Sequence, residues 1–167
     1  HDVSPLSMDE KRLLAMRYPF DFRMPRPKEP LTIGYFDFNN GKLGQYHELG
    51  KSYAWNFHKG CRLQWMDNKR IIFNTARNGK LGAEIIDCSN GSQQYIDYPI
   101  DAIFVKDGKE MASSFSYERL ERCMPGYGYP YHDDGEINES APEDTGLYLV
   151  NLSSGERKLL LSIRDIA

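Results

Sequence analysis

The sequence predicts an all-β chain built from four-stranded antiparallel meanders, about three blades of a β-propeller, and three observations carry that expectation. The first is the stretch Arg62–Asp97, in which the polar turns Asp67-Asn68, Asn78-Gly79 and Ser89-Asn90-Gly91 separate four short runs rich in Ile, Phe, Tyr and Trp. Such residues suit a pleated, partly buried surface, and the turn residues tolerate the positive φ that tight hairpins need. The second is repetition. Lys11-Arg12-Leu13-Leu14-Ala15 matches Lys69-Arg70-Ile71-Ile72-Phe73 and, more loosely, Lys109-Glu110-Met111-Ala112-Ser113. Gly34-Tyr35-Phe36-Asp37, Glu84-Ile85-Ile86-Asp87 and Leu147-Tyr148-Leu149-Val150-Asn151 match in turn, each ahead of a hairpin glycine (Gly41, Gly91 or Gly155). Units of this size with four strands apiece are the signature of propeller blades. The third is an absence: these runs lack the three- and four-residue apolar spacing of helices.

Taken in order, the elements are these. The first blade, about residues 1–49, has strands at His1–Pro5, Arg12–Met16, Thr32–Asp37 and Leu43–Glu48. Between the second and third of these, Tyr18–Pro30 holds four prolines, which remove ladder donors and make it a connection. Gly50–Gly60 joins the first blade to the second, about residues 61–98, with strands Leu63–Met66, Arg70–Thr75, Gly82–Asp87 and Gln93–Asp97. The third, about residues 101–163, has Ala102–Val105, Glu110–Ser116, Gly146–Asn151 and Arg157–Ile163. It is interrupted by the insertion Tyr117–Thr145, with eight acidic residues, two arginines, three prolines and the run Pro125-Gly126-Tyr127-Gly128-Tyr129-Pro130-Tyr131.

Composition narrows the function classes. Net charge is −3, yet residues 1–80 carry +6 and residues 81–167 carry −9, so no uniformly basic nucleic-acid surface is indicated and the two halves can meet as opposites. No apolar run reaches the length of a membrane span, which predicts no membrane partner. Cys61, Cys88 and Cys123 are odd in number and lack metal-ligand spacing, so neither a disulfide framework nor a zinc site is expected.

Loop lengths direct attention to one face. In an up-and-down blade the turns joining strands one to two and three to four lie on one side, and these are all short. Tyr18–Pro30, Gly50–Gly60 and Tyr117–Thr145 belong to the other side, where elaborated loops on a rigid scaffold carry function. Arg17, Arg77 and Arg119 each follow a second strand on that side and, with Lys51, Lys59 and Arg122, offer guanidinium forks and ammonium groups to carboxylate or phosphate; the alternative is that they pair with nearby acids. Trp55, Tyr127, Tyr129 and Tyr131 offer stacking platforms for sugar rings or cations, or else pin a glycine-rich loop to the scaffold. His58 and His132 sit on the same face without a catalytic carboxylate pattern. His132-Asp133-Asp134-Gly135-Glu136 lacks the alternating acidic spacing of a calcium loop. No phosphate loop, nucleophile elbow or zinc-helix motif occurs.

Some segments carry a family resemblance. Val3-Ser4-Pro5 before Lys11-Arg12-Leu13, and Val105-Lys106-Asp107-Gly108-Lys109, resemble the SPDGK strand–turn–strand of TolB-like propeller repeats. Gly146–Leu161 and Glu84–Ile96 resemble the second half of the same repeat, in which a strand ending in Asp or Asn leads through a glycine hairpin into the last strand. The resemblance implies a propeller of the kind found in periplasmic binding proteins, peptidase-gating domains and oligogalacturonate lyases. The lyases' chemistry uses a metal held by channel-face histidines, and no histidine cluster here matches it. The expected function is therefore a binding or interaction module with no cofactor, its long-loop face taking up carbohydrate, a small anion or a protein, with Arg17, Trp55, His58, Arg77, Arg119, Tyr127 and Tyr129 as the residues that meet it. The alternative is a polysaccharide-lyase-like enzyme with a divalent metal, its site completed by further blades or another subunit. Three blades leave an open arc, so the chain is expected either to form a two-fold homodimer or, as it starts at His1, to be a fragment of a longer propeller.

Overall fold

A computed structural model of the chain describes residues 3–21, 23, 26, 28–130, 132 and 139–167. The chain is mostly β, and its strands form three antiparallel sheets of three or four strands, none closed on itself. The first holds β1 (Arg12–Arg17), β2 (Leu31–Asn39) and β3 (Lys42–Ser52). The second holds β4 (Gln64–Trp65), β5 (Arg70–Arg77), β6 (Lys80–Asp87) and β7 (Gln93–Ile96). The third holds β8 (Ile103–Lys106), β9 (Lys109–Ser114), β10 (Gly146–Asn151) and β11 (Arg157–Ser162). In each sheet consecutive strands are neighbours.

The internal repeat appears in the register. Arg12 pairs with Asp37 and Arg70 with Asp87, so β1–β2 and β5–β6 superimpose pair for pair at that end. The third unit departs from the alignment the sequence suggests. Asn151, the counterpart of Asp87, pairs with Met111 and not with Glu110, which shifts β9 by one residue. The preceding turns also differ. β8 and β9 close through Asp107-Gly108 alone, both at positive φ (50° and 72°), as a two-residue hairpin needs. β4 and β5 close through a longer turn in which Asp67 Oδ1 accepts from Lys69 N and Arg70 N.

The expected first strand of the first blade does not form among the described residues; His1 and Asp2 lie outside them. What remains is one bridge, Leu6 to Leu13. Pro5 has no N–H for a ladder, and its carbonyl is taken by Leu14 N at 2.8 Å and Trp65 Nε1 at 3.0 Å. β4 is almost as short, its two residues standing where four were expected. β3 in turn runs further than expected and absorbs Gly50–Ser52, so the link between the first two sheets is 53–63. The all-β expectation also misses two helices. α1 (Tyr117–Cys123) opens the insertion, with Ser116 Oγ accepting from Arg119 N as its N-cap. α2 (Ile163–Ile166) follows β11 and starts with a reciprocal Ser162–Asp165 capping box.

The second sheet is the centre of the molecule because its strands are apolar on both faces. Ile71, Phe73 and Ile86 share a core with Trp65 and with Leu14, Leu31 and Ile33 of the first sheet. The alternate residues Ile72, Ala83, Ile85 and Ile96 share another with Ala112, Val150 and Leu152 of the third sheet and its hairpin. Side chains alternate along a strand, so one apolar run serves two neighbours. A third cluster of Ala54, Leu81, Tyr117 and Tyr129 seats the insertion on this stack. No described helix is long and apolar enough to cross a membrane.

Candidate functional site

The three long connections, 18–30, 53–63 and 117–145, touch one another. Trp55 Nε1 donates to Glu29 O at 3.0 Å, and the indole meets the rings of Tyr18, Phe20 and Phe57. Asn56 Nδ2 donates to the carbonyls of Tyr127 (3.0 Å) and Gly128 (2.8 Å). His58 stacks on Tyr127 with ring centroids 4.3 Å apart and planes 4° from parallel. His132 Nε2 lies 2.7 Å from Tyr53 O. Within 18–30, the Glu29 carboxylate takes both Arg23 terminal nitrogens (2.8 and 2.6 Å) and Arg26 N, and the Arg23 guanidinium holds its pKa down to about 2.

The insertion is anchored by two tyrosines. Tyr117, opening α1, stacks on Tyr129 at 4.2 Å, and both are buried, which pushes their phenols well above the usual range. Asn74 of β5, fully buried, fastens this pair to the sheet. Its Nδ2 donates to Tyr129 Oη (2.6 Å) and Ile100 O (2.8 Å), its Oδ1 accepts from Ile100 N (2.7 Å), its own N–H reaches Cys61 O, and its carbonyl accepts from Ser52 Oγ. Between the tyrosines the chain crosses α1 at Gly128, where a Cβ would come within 2.1 Å of Tyr117 O and 2.3 Å of Glu121 N, so only glycine fits. Glu121 Oε2 then accepts from Gly126 N and Gly128 N.

This packing assigns work to several residues the sequence offers as ligand contacts. Trp55 and Tyr129 are buried, at 4% and 1% exposure, and present no platform to solvent; each is a pin, for 18–30 and for the insertion respectively. Arg17 pairs with Glu48 at 2.9 Å and lies over the Tyr46 ring. Arg77 pairs with Glu84 at 2.8 Å and lies over Tyr95. The rings of Tyr46 and Tyr95 in turn cover Gly34 and Gly82, whose missing side chains leave the room. Arg119 donates to the carbonyls of Glu139 and Ser140, closing the far end of the insertion. His58 and Tyr127 stay exposed as a stacked pair on the surface. Tyr131 and Asp133–Glu136, from the aromatic run and the acidic loop, lie outside the described residues.

Beside these connections a cleft of about 700 Å³ opens between the second and third sheets. One wall is the β5–β6 turn with Lys80 and the exit of β7 with Asp97 and Tyr98; the other is Glu118, Glu139, Asp144, Tyr148 and Arg157. Arg157 lies between the rings of Tyr98 and Tyr148, 4.0 Å from each centroid. Asp97, Glu118, Glu139 and Asp144 outnumber Lys80 and Arg157 in the lining, with Glu139 paired to Arg164 at 2.6 Å, so the lining is acidic chiefly through Asp97, Glu118 and Asp144. Sequence reading missed this cleft because its walls come from segments far apart in the chain, brought together only by sheet stacking.

It also missed a buried polar link on the inner side of the same two sheets. Arg62, 4% exposed, donates from Nε to Asp101 O at 2.9 Å and stands 3.1 Å from its carboxylate. Tyr117 Oη donates to that carboxylate at 3.1 Å, Lys59 Nζ stands 3.6 Å from it, and Gln64 Nε2 reaches Asp101 O. A charge so enclosed persists only when paired and hydrogen-bonded, as here. Among the described residues no three His, Cys, Asp or Glu side chains converge in a way that could hold a metal ion. No protein-family model, curated protein or solved structure matches the chain.

Proposed function

We propose that the three sheets are blades of an open β-propeller and that the chain is a binding module, taking a neutral, hydroxyl-rich ligand of the oligosaccharide kind into the cleft between the second and third sheets. The observation that carries this reading is the cleft's lining: the carboxylates of Asp97, Glu118 and Asp144, with Glu139 held by Arg164, beside tyrosine and phenylalanine rings in a space of about 700 Å³. Carboxylates accept from sugar hydroxyls in charge-assisted hydrogen bonds, and ring faces and edges suit the apolar patches of pyranosides. The same carboxylates oppose an anionic ligand, which separates this reading from anion binding and from a lyase acting on acidic oligosaccharides. The firm seating of the insertion supports it further, since a pre-ordered wall lowers the entropic cost of binding.

Saturation-transfer NMR with a panel of neutral and acidic oligosaccharides tests it. Transfer to neutral members is expected, and Asp97→Asn and Asp144→Asn should each weaken Kd about tenfold, the equivalent of roughly 1.4 kcal/mol, without shifting the melting curve. A folded protein that shows no transfer to any neutral glycan, or that prefers acidic ones, overturns the proposal.

A further inference from the structure

The sheet stacking has a direction. The face of the first sheet that carries Leu14 packs on the Ile71 face of the second, and the Ile72 face of the second packs on the Ala112 face of the third. Each interface therefore joins a leading face to a trailing face, and the order leaves two faces over: the leading face of the third sheet and the trailing face of the first.

Both have the residues of an interface. On the second sheet the leading face is Ile72, Ala83, Ile85 and Ile96, all buried. By strand register their counterparts on the third sheet are Ser113, Leu147, Leu149 and Leu161. Three of the four are leucines, and Leu147 and Leu161 stand 39% and 48% exposed, with Phe104 of the same face at 41%. On the second sheet the trailing face is Trp65, Ile71, Phe73 and Ile86. Its counterparts on the first sheet are Leu6, Leu13, Ala15 and Phe36, apolar again and only partly buried. The same register puts Lys106, Lys109 and Lys158 on the leading face and Arg17, Thr32 and Glu48 on the trailing one, so each apolar patch is bordered by polar side chains, as the rim of an interface is.

We infer that the leading face of the third sheet is a docking surface for the trailing face of the first sheet of a second copy of this chain. The argument for that occupant is continuity. The surface offered has the backbone repeat and apolar positions that twice bind a trailing face within the chain, and among the described residues the first sheet presents a matching trailing face that no other sheet covers. The contact is head-to-tail, and two copies that make it at both ends join six sheets in one assembly. This inference is independent of the cleft's ligand.

Sedimentation analysis of the chain, at micromolar concentration, should give about twice the 19.3 kDa chain mass. A leading-face variant, Leu147→Glu with Leu161→Glu, and a trailing-face variant, Leu13→Lys with Phe36→Lys, should each be monomeric. Because each keeps one intact face, mixing the two should restore a dimer held by a single joint, which also shows that both variants are folded. A wild-type chain that stays monomeric overturns the inference. So does a dimer that survives the trailing-face variant, because that pattern belongs to leading face on leading face, and so does a mixture of the two variants that stays monomeric.

Discussion

The second and third sheets share a repeat, a strand order and nearly a register, yet they solve different problems. β5 and β6 read RIIFNTAR and KLGAEIID and are buried along most of their length, because both faces are covered. β10 and β11, GLYLVN and RKLLLS, bury one face and leave leucines in solvent on the other. The backbone pattern fixes which residues point together; the neighbours decide which of them contribute to stability. An aliphatic side chain at one position of the repeat is core in one sheet, as Ile96 is, and surface in the next, as Leu161 is.

Substitution at such positions should break that comparison most sharply. Phe73→Ala removes a fully buried ring from the interface of the first two sheets and should cost about 3–5 kcal/mol, with a fall in melting temperature on the order of 10 °C. Leu149→Ala on the leading face of the third sheet, measured on the monomeric leading-face variant, should cost less than about 1 kcal/mol. Equal losses in urea titrations of the two would mean the third sheet is covered after all.

A smaller effect belongs to the polar link between the same sheets. Asp101→Ala leaves Arg62 enclosed without its carboxylate and should cost about 3 kcal/mol, whereas Asp101→Asn keeps an acceptor for Arg62 and Tyr117 and should cost markedly less. If the two substitutions prove equivalent by denaturant titration, the charge of Asp101 matters and its hydrogen bonding does not.

The mildest probe changes no residue. Burial pushes the Cys61 thiol up to about 12, between the first two sheets, and the half-buried Cys88 thiol up to about 11, while Cys123 is exposed on α1. Since the thiolate is the reactive species, a disulfide reagent at pH 8 should modify Cys123 first, Cys88 later and Cys61 only on unfolding. Early loss of the Cys61 thiol in native protein would show that the first sheet opens away from the second far more readily than their shared core implies.

Much of this architecture is legible in the sequence, for a local reason. Hairpin glycines and Asx turns are written beside the strands they connect, so β5, β6, β7, β10 and β11 can be located to within a residue or two. What is not local was lost. The one-residue shift of β9 lies in its pairing with β10, across the insertion, and the truncated first strand goes with a Pro5 carbonyl spent on Leu14 and Trp65. The Ser116 cap of α1 and the Ser162–Asp165 capping box of α2 were readable but overlooked amid strand signals. The candidate site was less legible still. Aromatic loop residues look alike whether they face solvent or core, so the sequence leaves Trp55 and Tyr129 open between platform and pin where burial makes them pins, and the carboxylates of the cleft are gathered from separate segments.

Asn74 gives the seating of the insertion a mechanical character. Every polar atom of this residue is engaged, and its partners lie at the end of β3, in the two inter-sheet links and in the insertion. The Tyr117–Tyr129 pair cannot lift without stripping a buried amide of its partners, so this part of the insertion opens only as fast as the sheet beneath it opens. Amide protons under the tyrosine pair should therefore exchange with the slow class of the central sheet, although they belong to the longest connection in the chain.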